Sequence, residues 1–142
     1  MADITSFIPG TVYPSAALRT EVIVAQNTID FSKTNVASGA VVNVLRIPKG
    51  AFVIKAGIYV KTAEGSTLTA TYGDASGANS WDASVNLNST GIYVSEEGTD
   101  AYAIGKIYTV ADTLDLTMSA AADTAVVYAF AEYSIIEALA DA

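Results

Sequence analysis

Histidine and cysteine are both missing from the 142 residues. Without cysteine there is no disulfide, no thiolate metal ligand and no cysteine nucleophile, so folding rests on packing and strand pairing. Without histidine the usual base for activating a serine is gone, and no Ser-x-x-Lys pattern replaces it. Basic residues number only seven against fifteen acidic ones, and they are scattered from Arg19 to Lys106 with no run among them. Nucleic acid and anionic membrane surfaces both select clustered Lys and Arg, so neither is an expected partner. Apolar runs such as residues 125–131 stop far short of the roughly 20 residues that cross a bilayer as a helix. Residues 1–18 show no basic start or continuous apolar stretch of a signal peptide, which points to synthesis in the cytoplasm. Charged residues make up only 15% of the chain against 51% hydrophobic, too apolar for disorder and too sparse in charge for an ordinary free surface.

What is present is alternation with a period of two. In FVIKAGIYVKT, residues Phe52, Ile54, Ala56, Ile58 and Val60 point one way and Lys55, Tyr59 and Lys61 the other, as a half-buried strand requires. TLTATY alternates Leu68, Ala70 and Tyr72 with threonines, and a turn at residues 63–66 between these two segments predicts a hairpin. Residues 113–118 alternate Leu114, Leu116 and Met118 with Thr and Asp, and with TAVVYAFAEYSII they predict a second, closing hairpin. AVVNVLRI, residues 40–47, is an almost continuous apolar run, expected to be covered on both faces. It leads into Ile47-Pro48-Lys49-Gly50, where Pro in second place predicts a type I turn. Residues 19–31 predict one bent strand or two short ones, and residues 101–110 another, with Tyr102, Ile104 and Tyr108 on one face and Gly105 as a candidate bulge.

Seven to eight strands without a helical candidate before residue 136 predict an all-β protein, an antiparallel β-sandwich of jelly-roll-like form. An immunoglobulin-like sandwich buries alternate residues in the same manner, so spacing leaves that alternative open. The expected organisation is an irregular N-terminal arm over residues 1–18, interrupted by Pro9 and Pro14, and a single domain over residues 19–142.

Candidate chemistry is sparse. Carboxylate pairs of the kind that cut glycosidic bonds are Glu96 with Glu97, Asp112 with Asp115, and Glu132 with Glu137, but adjacent strand residues face opposite ways and loop or surface positions account for the rest. Asp74, Ser76, Asn79 and Asp82 offer hard oxygen ligands to calcium, yet they are equally the ordinary residues of turns. The expectation is therefore no enzyme, no cofactor and no metal. Residues 73–91 read as one long irregular loop carrying the sole tryptophan, Trp81. That indole serves an interface or an exposed tip, or else folds back to plug one end of the sandwich. In the arm, Phe7, Ile8, Val12 and Tyr13 are too apolar for a solvated tail and are expected to dock on their own sheet or on another subunit.

RIPKGAFVIKAGIYVKT, TLTATYGDASG and ADTLDLTMSAAADTAVVYAFAEY, in this order, resemble small virion proteins of tailed bacteriophages, the capsid decoration or cement proteins and related minor structural proteins. The resemblance spans residues 19–136. It implies a jelly-roll-like homotrimer on the outer capsid surface, bound to the major capsid protein and stabilising the head. It also implies that Phe7, Ile8, Val12, Tyr13 and Trp81 make capsid or intersubunit contacts. A tail-associated or carbohydrate-binding sandwich with Trp81, Tyr93 and Tyr102 as a stacking platform is the alternative.

Overall fold

A computed structural model describes residues 21–136. Nine strands follow in order: β1 Ile23–Asp30, β2 Val41–Ile47, β3 Ala51–Thr62, β4 Thr69–Gly73, β5 Asp82–Asn86, β6 Gly91–Val94, β7 Lys106–Ile107, β8 Asp112–Met118 and β9 Val126–Ile135. They form two antiparallel sheets, one ordered β1-β9-β3-β6 with β7 added to β3, the other ordered β2-β8-β4-β5.

The pairings are nested. With the two-residue β7 set aside, the first strand pairs with the last (β1 with β9), the second with the next to last (β2 with β8), and so inward through β3 with β6 to β4 with β5. That is one long antiparallel ribbon with its tip at β4 and β5. Rolling the ribbon so that β9 meets β3 and β8 meets β4 closes the two sheets over each other. This wrapped double sheet is the jelly roll, and it decides against the immunoglobulin alternative.

Both hairpins expected from the sequence are crossings between sheets. β3 pairs with β6, β7 and β9 whereas β4 pairs with β5 and β8. β8 and β9 likewise lie in opposite sheets. Alternation reports which side of a strand meets the core; it carries no information on which strand lies alongside, and two strands facing one core from opposite sheets alternate alike. The expected loop at residues 73–91 also contains β5, a short strand with Val85 as its one buried apolar side chain. Residues 101–110 contribute only β7, because Gly105 adopts φ +101° and turns the chain, leaving Ile104 79% exposed while Tyr108 is buried.

The core lies between the sheets. Ala56, Ile58 and Val60 of β3 and Val127, Ala129 and Ala131 of β9 meet Leu45, Ala70, Tyr72, Val85, Leu114, Leu116 and Met118 from the other sheet, all buried. In β2 the register slips between Asn43 and Leu45. This bulge places Val44 and Leu45 inward in succession, so the run AVVNVLRI needs no second apolar layer to account for it. The turn after β2 closes with Ala51 N–H donating to Pro48 O, one residue later than expected, and Gly50 takes φ +86° in its third place. A glycine with that backbone suits a type II turn.

Crossings between sheets leave backbone donors at the rims, and at the end of β3 a single carboxylate collects three. Glu64, 7% exposed, accepts from the N–H groups of Asp123 (2.8 Å), Thr124 (3.1 Å) and Ala125 (2.8 Å). It joins the β3–β4 crossing to the β8–β9 crossing. Replacing it by alanine strands those donors, and Glu64→Ala is expected to lose about 3 kcal/mol in urea denaturation. Glu64→Gln, which keeps an acceptor oxygen, should lose about half as much. A loss under 0.5 kcal/mol for Glu64→Ala would show the clamp to be dispensable.

Candidate functional site: an apolar outer face

Outward positions of the two sheets differ in chemistry. On the four-stranded sheet they are Thr69 and Thr71 of β4, Thr113, Asp115 and Thr117 of β8, Asn43 and Arg46 of β2, and Ser84 and Asn86 of β5, with Val41 as the one large apolar exception. On the five-stranded sheet the large apolar ones are Val24 of β1, Phe52, Ile54 and Tyr59 of β3, Ile92 and Val94 of β6, Ile107 of β7, and Tyr128 and Phe130 of β9, interspersed with Gln26 and Thr28 of β1, Lys55 and Lys61 of β3 and Glu132 of β9. Val24 is 53% exposed, Ile92 67% and Ile107 49%. Scattered exposed apolar residues are normal, but a contiguous sheet face of them marks an interaction surface.

Local chemistry keeps this face flat. Gly57 lies beneath the Phe130 ring, and a Cβ there would come within 2.6 Å of the ring edge and of the Tyr93 carbonyl. Tyr59 stacks on Tyr128 with ring centroids 5.8 Å apart and planes 23° from parallel. Lys61 Nζ sits 6.0 Å from the Tyr128 centroid. Lys55 and Glu132 face each other across β3 and β9 on the same side. The two lysines and one glutamate leave the middle of the face nearly neutral in a chain of net charge -8.

Trp81 is elsewhere, in the core with no exposed surface. Its Nε1–H donates to Tyr108 Oη at 2.9 Å, its ring meets Tyr102 edge to face at 5.3 Å, and Ser95 Oγ donates to its carbonyl. The exposed-tip expectation is therefore corrected. An amphipathic ring with an apolar body is best placed where its N–H finds a buried partner, and the Tyr108 hydroxyl supplies one. Trp81, Tyr93 and Tyr102 form no stacking platform, since Tyr93 and Tyr102 are half-buried against the same core. Phe7, Ile8, Val12 and Tyr13 lie outside the described residues.

Next to Trp81 is a polar network anticipated only through the Asp74 loop. Tyr108 Oη donates to Asp74 Oδ2 (2.7 Å), and Lys106 Nζ donates to the same oxygen (2.6 Å) and to Tyr102 Oη (3.0 Å). Asp74 Oδ1 accepts from Ser76 and Gly77 N–H. Lys106 also lies over the Tyr102 and Tyr108 rings at 4.4 and 4.5 Å. Both oxygens of Asp74 are thus committed to holding the β4–β5 connection against β7, while Asp82 belongs to β5. Among the described residues no group of three or more acidic side chains is arranged to hold a metal ion.

Burial would raise the Asp74 carboxyl, but hydrogen bonds from Lys106 and Tyr108 outweigh it and hold the group below the usual carboxylate range. Burial would lower Lys106, and its bonds to Asp74 and Tyr102 outweigh that and raise it. Burial pushes Tyr108 and Tyr72 far up, so both hydroxyls stay protonated. Of the expected carboxylate pairs, Asp112 and Asp115 are near enough that, after burial, Asp112 adds to raising the Asp115 carboxyl, while among the described residues no other pair comes together. Asp115 and Glu132 sit on the outer faces of opposite sheets, Glu96 and Glu97 follow β6 in a loop, and Glu137 lies outside the described residues. Asp82 is raised by burial and then by Asp100 and Glu96, but the Asp100 carboxylate is occupied by Ala83 and Glu96 N–H.

No protein-family model matches the chain, and no curated protein matches it. Solved structures do. A chain of the acid-stable capsid of Helicobacter pylori bacteriophage KHP30 shares the fold with TM-score 0.60 and 15% identity, over 80% of this chain and 87% of that one. A chain of the capsid of Ralstonia phage GP4 gives TM-score 0.61 and 16% identity, over 87% and 91%. A chain of the cyanophage Pam1 capsid asymmetric unit gives 0.54 and 18%, over 95% and 99%. The resemblance to phage virion proteins drawn from the sequence is thus matched, in fold, by chains from three phage capsids.

Two measurements check the network. Because the folded-state pKa of Asp74 is depressed, its contribution is present above the unfolded carboxylate range near pH 4 and disappears as pH falls through the folded value. The stability gap between the natural chain and Asp74→Asn should be about 2 kcal/mol at pH 6 to 7 and shrink towards pH 3; a gap independent of pH would contradict the network. Tyr72 Oη is buried without a hydrogen-bond partner among the described residues. Tyr72→Phe should therefore keep full stability or gain up to about 1 kcal/mol, which thermal unfolding can read.

Proposed function

We propose that this chain is a structural protein of a bacteriophage virion, and within the virion a decoration or cement protein on the outer surface of the head. The observation that carries the reading is the group of large apolar side chains on the outer face of the five-stranded sheet, among which Lys55, Lys61 and Glu132 nearly cancel in charge, opposite a threonine-rich polar face. A lone soluble domain gains nothing from such a face, whereas a protein seated on a shell has one side to bury and one to present to solvent. The shared fold with chains from three phage capsids supports the same reading. The major capsid protein is the proposed partner, and the chain acts without catalysis.

Cementing follows from multivalency. A homotrimer presenting three apolar faces touches several capsomers at once, so the second and third contacts form at high effective concentration. Separating neighbouring capsomers then requires breaking contacts that are individually weak. The carbohydrate-binding alternative loses its platform, because Trp81 is enclosed by the core.

The test is binding to purified expanded heads. Val24→Glu combined with Ile92→Glu, both at exposed positions, should leave the melting temperature unchanged and weaken binding by about tenfold or more. Thr71→Glu on the opposite face should bind as the natural chain does. Equal binding by the double variant would place the contact elsewhere, and a monomeric mass in solution and on the head would remove the trimer.

A further inference from the structure

The sandwich is open at the end where β1 begins. A groove of about 1040 Å³ runs there between the two sheets, bordered by apolar Val44, Ile47, Pro48, Ala111 and Tyr133 and by polar Asn27, Arg46 and Asp112. Asn27 Nδ2 donates to Val44 O at 3.0 Å and bridges the sheets across it. Ile23 and Tyr133 are directly opposed in register on the inner side of the five-stranded sheet, in line with buried Ala131 and Ala129. Inward residues of a closed sandwich are covered, yet Ile23 is 41% exposed. The inner layer is incomplete at this end.

Twenty residues precede the described part of the chain, and they join it two residues before Ile23, beside the groove. They carry Phe7, Ile8, Val12 and Tyr13, side chains that the apolar part of the groove, at Val44, Ile47, Pro48 and Tyr133, can take up. From Tyr13 to Val22 the chain spans at most about 30 Å, more than enough to reach back into a groove that starts at its own point of entry. A seat on the same copy also benefits from an effective concentration in the millimolar range that a separate copy must match.

We propose that residues 7–13 occupy this groove in their own protomer and complete the inner layer over Ile23 and Tyr133. Of the two expectations for Phe7, Ile8, Val12 and Tyr13, docking on their own sheet or on another subunit or the capsid, this selects the first. The proposal is independent of the virion reading, since it concerns how one copy closes its own core.

The absence of cysteine makes the test direct. In the full-length chain, Thr11→Cys leaves the four apolar side chains in place, Ala111→Cys marks the groove, and Ser84→Cys marks the outer face of the four-stranded sheet. With a short bismaleimide, Thr11→Cys paired with Ala111→Cys should link within one copy about tenfold more than when paired with Ser84→Cys. Adding Phe7→Asp, Ile8→Asp and Val12→Asp should remove that preference while circular dichroism still reports the sheet. Equal linking to both positions, linking mainly between copies, or a preference that survives the aspartates would each overturn the proposal.

Discussion

Two sheets that share one apolar layer must satisfy the backbone where the chain passes from one to the other, and the rest of this structure depends on how that is done. Nearly every connection in the ribbon is such a passage. At the end of β3 the Glu64 carboxylate takes up three N–H groups of the loop before β9. At the other end of β3, Asp74 gathers Lys106, Tyr108 and two loop N–H groups, and Tyr108 passes the chain of bonds on to Trp81. Buried charge is costly unless its partners are complete, and here the partners come from segments far apart in sequence. Glu64 therefore ties two crossings together, and Asp74 ties the β4–β5 connection of one sheet to β7 of the other.

With rims held in this way, the two outer faces are free to differ. Outward positions of the four-stranded sheet carry mainly Thr, Asn, Ser and Asp, whereas those of the five-stranded sheet set Val, Ile, Phe and Tyr among Gln26, Thr28, Lys55, Lys61 and Glu132. On the outer face of the five-stranded sheet the Phe130 ring packs directly over Gly57, and the apolar side chains around it suit a broad contact rather than a cleft. Flat contacts of modest individual strength are effective when repeated, which is the economy of a symmetric shell.

Much of the strand content was legible because period-two patterning survives in β3, β4, β8 and β9. The signal failed where geometry departs from the regular pleat. β5 was hidden in a loop by its lone inward Val85, and the strand expected over residues 101–110 shrank to β7 because Gly105 turns the backbone. For Trp81 the sequence left an interface or tip and a plug in the sandwich side by side, and burial decided for the second, with the partner of its N–H, Tyr108, 27 residues away. The apolar face was written in the same strands as the core. In β3, Phe52 and Ile54 were expected on the side of Ala56, Ile58 and Val60, but the bulge between Val53 and Lys55 buries Val53 and turns both outward, to the side of Lys55 and Tyr59.

By itself, the sequence determined the fold class, the lack of histidine and cysteine chemistry, and the sides of β4, of β8 and of β3 beyond its bulge, because these follow from residue types and local spacing. Only the tertiary structure decided which strands lie next to which, turning two expected hairpins into crossings and giving the nested order of a jelly roll. It also decided that outward apolar residues from five strands meet in one surface. Such facts are non-local: they depend on register between segments tens of residues apart, and alternation looks the same whichever neighbour a strand takes.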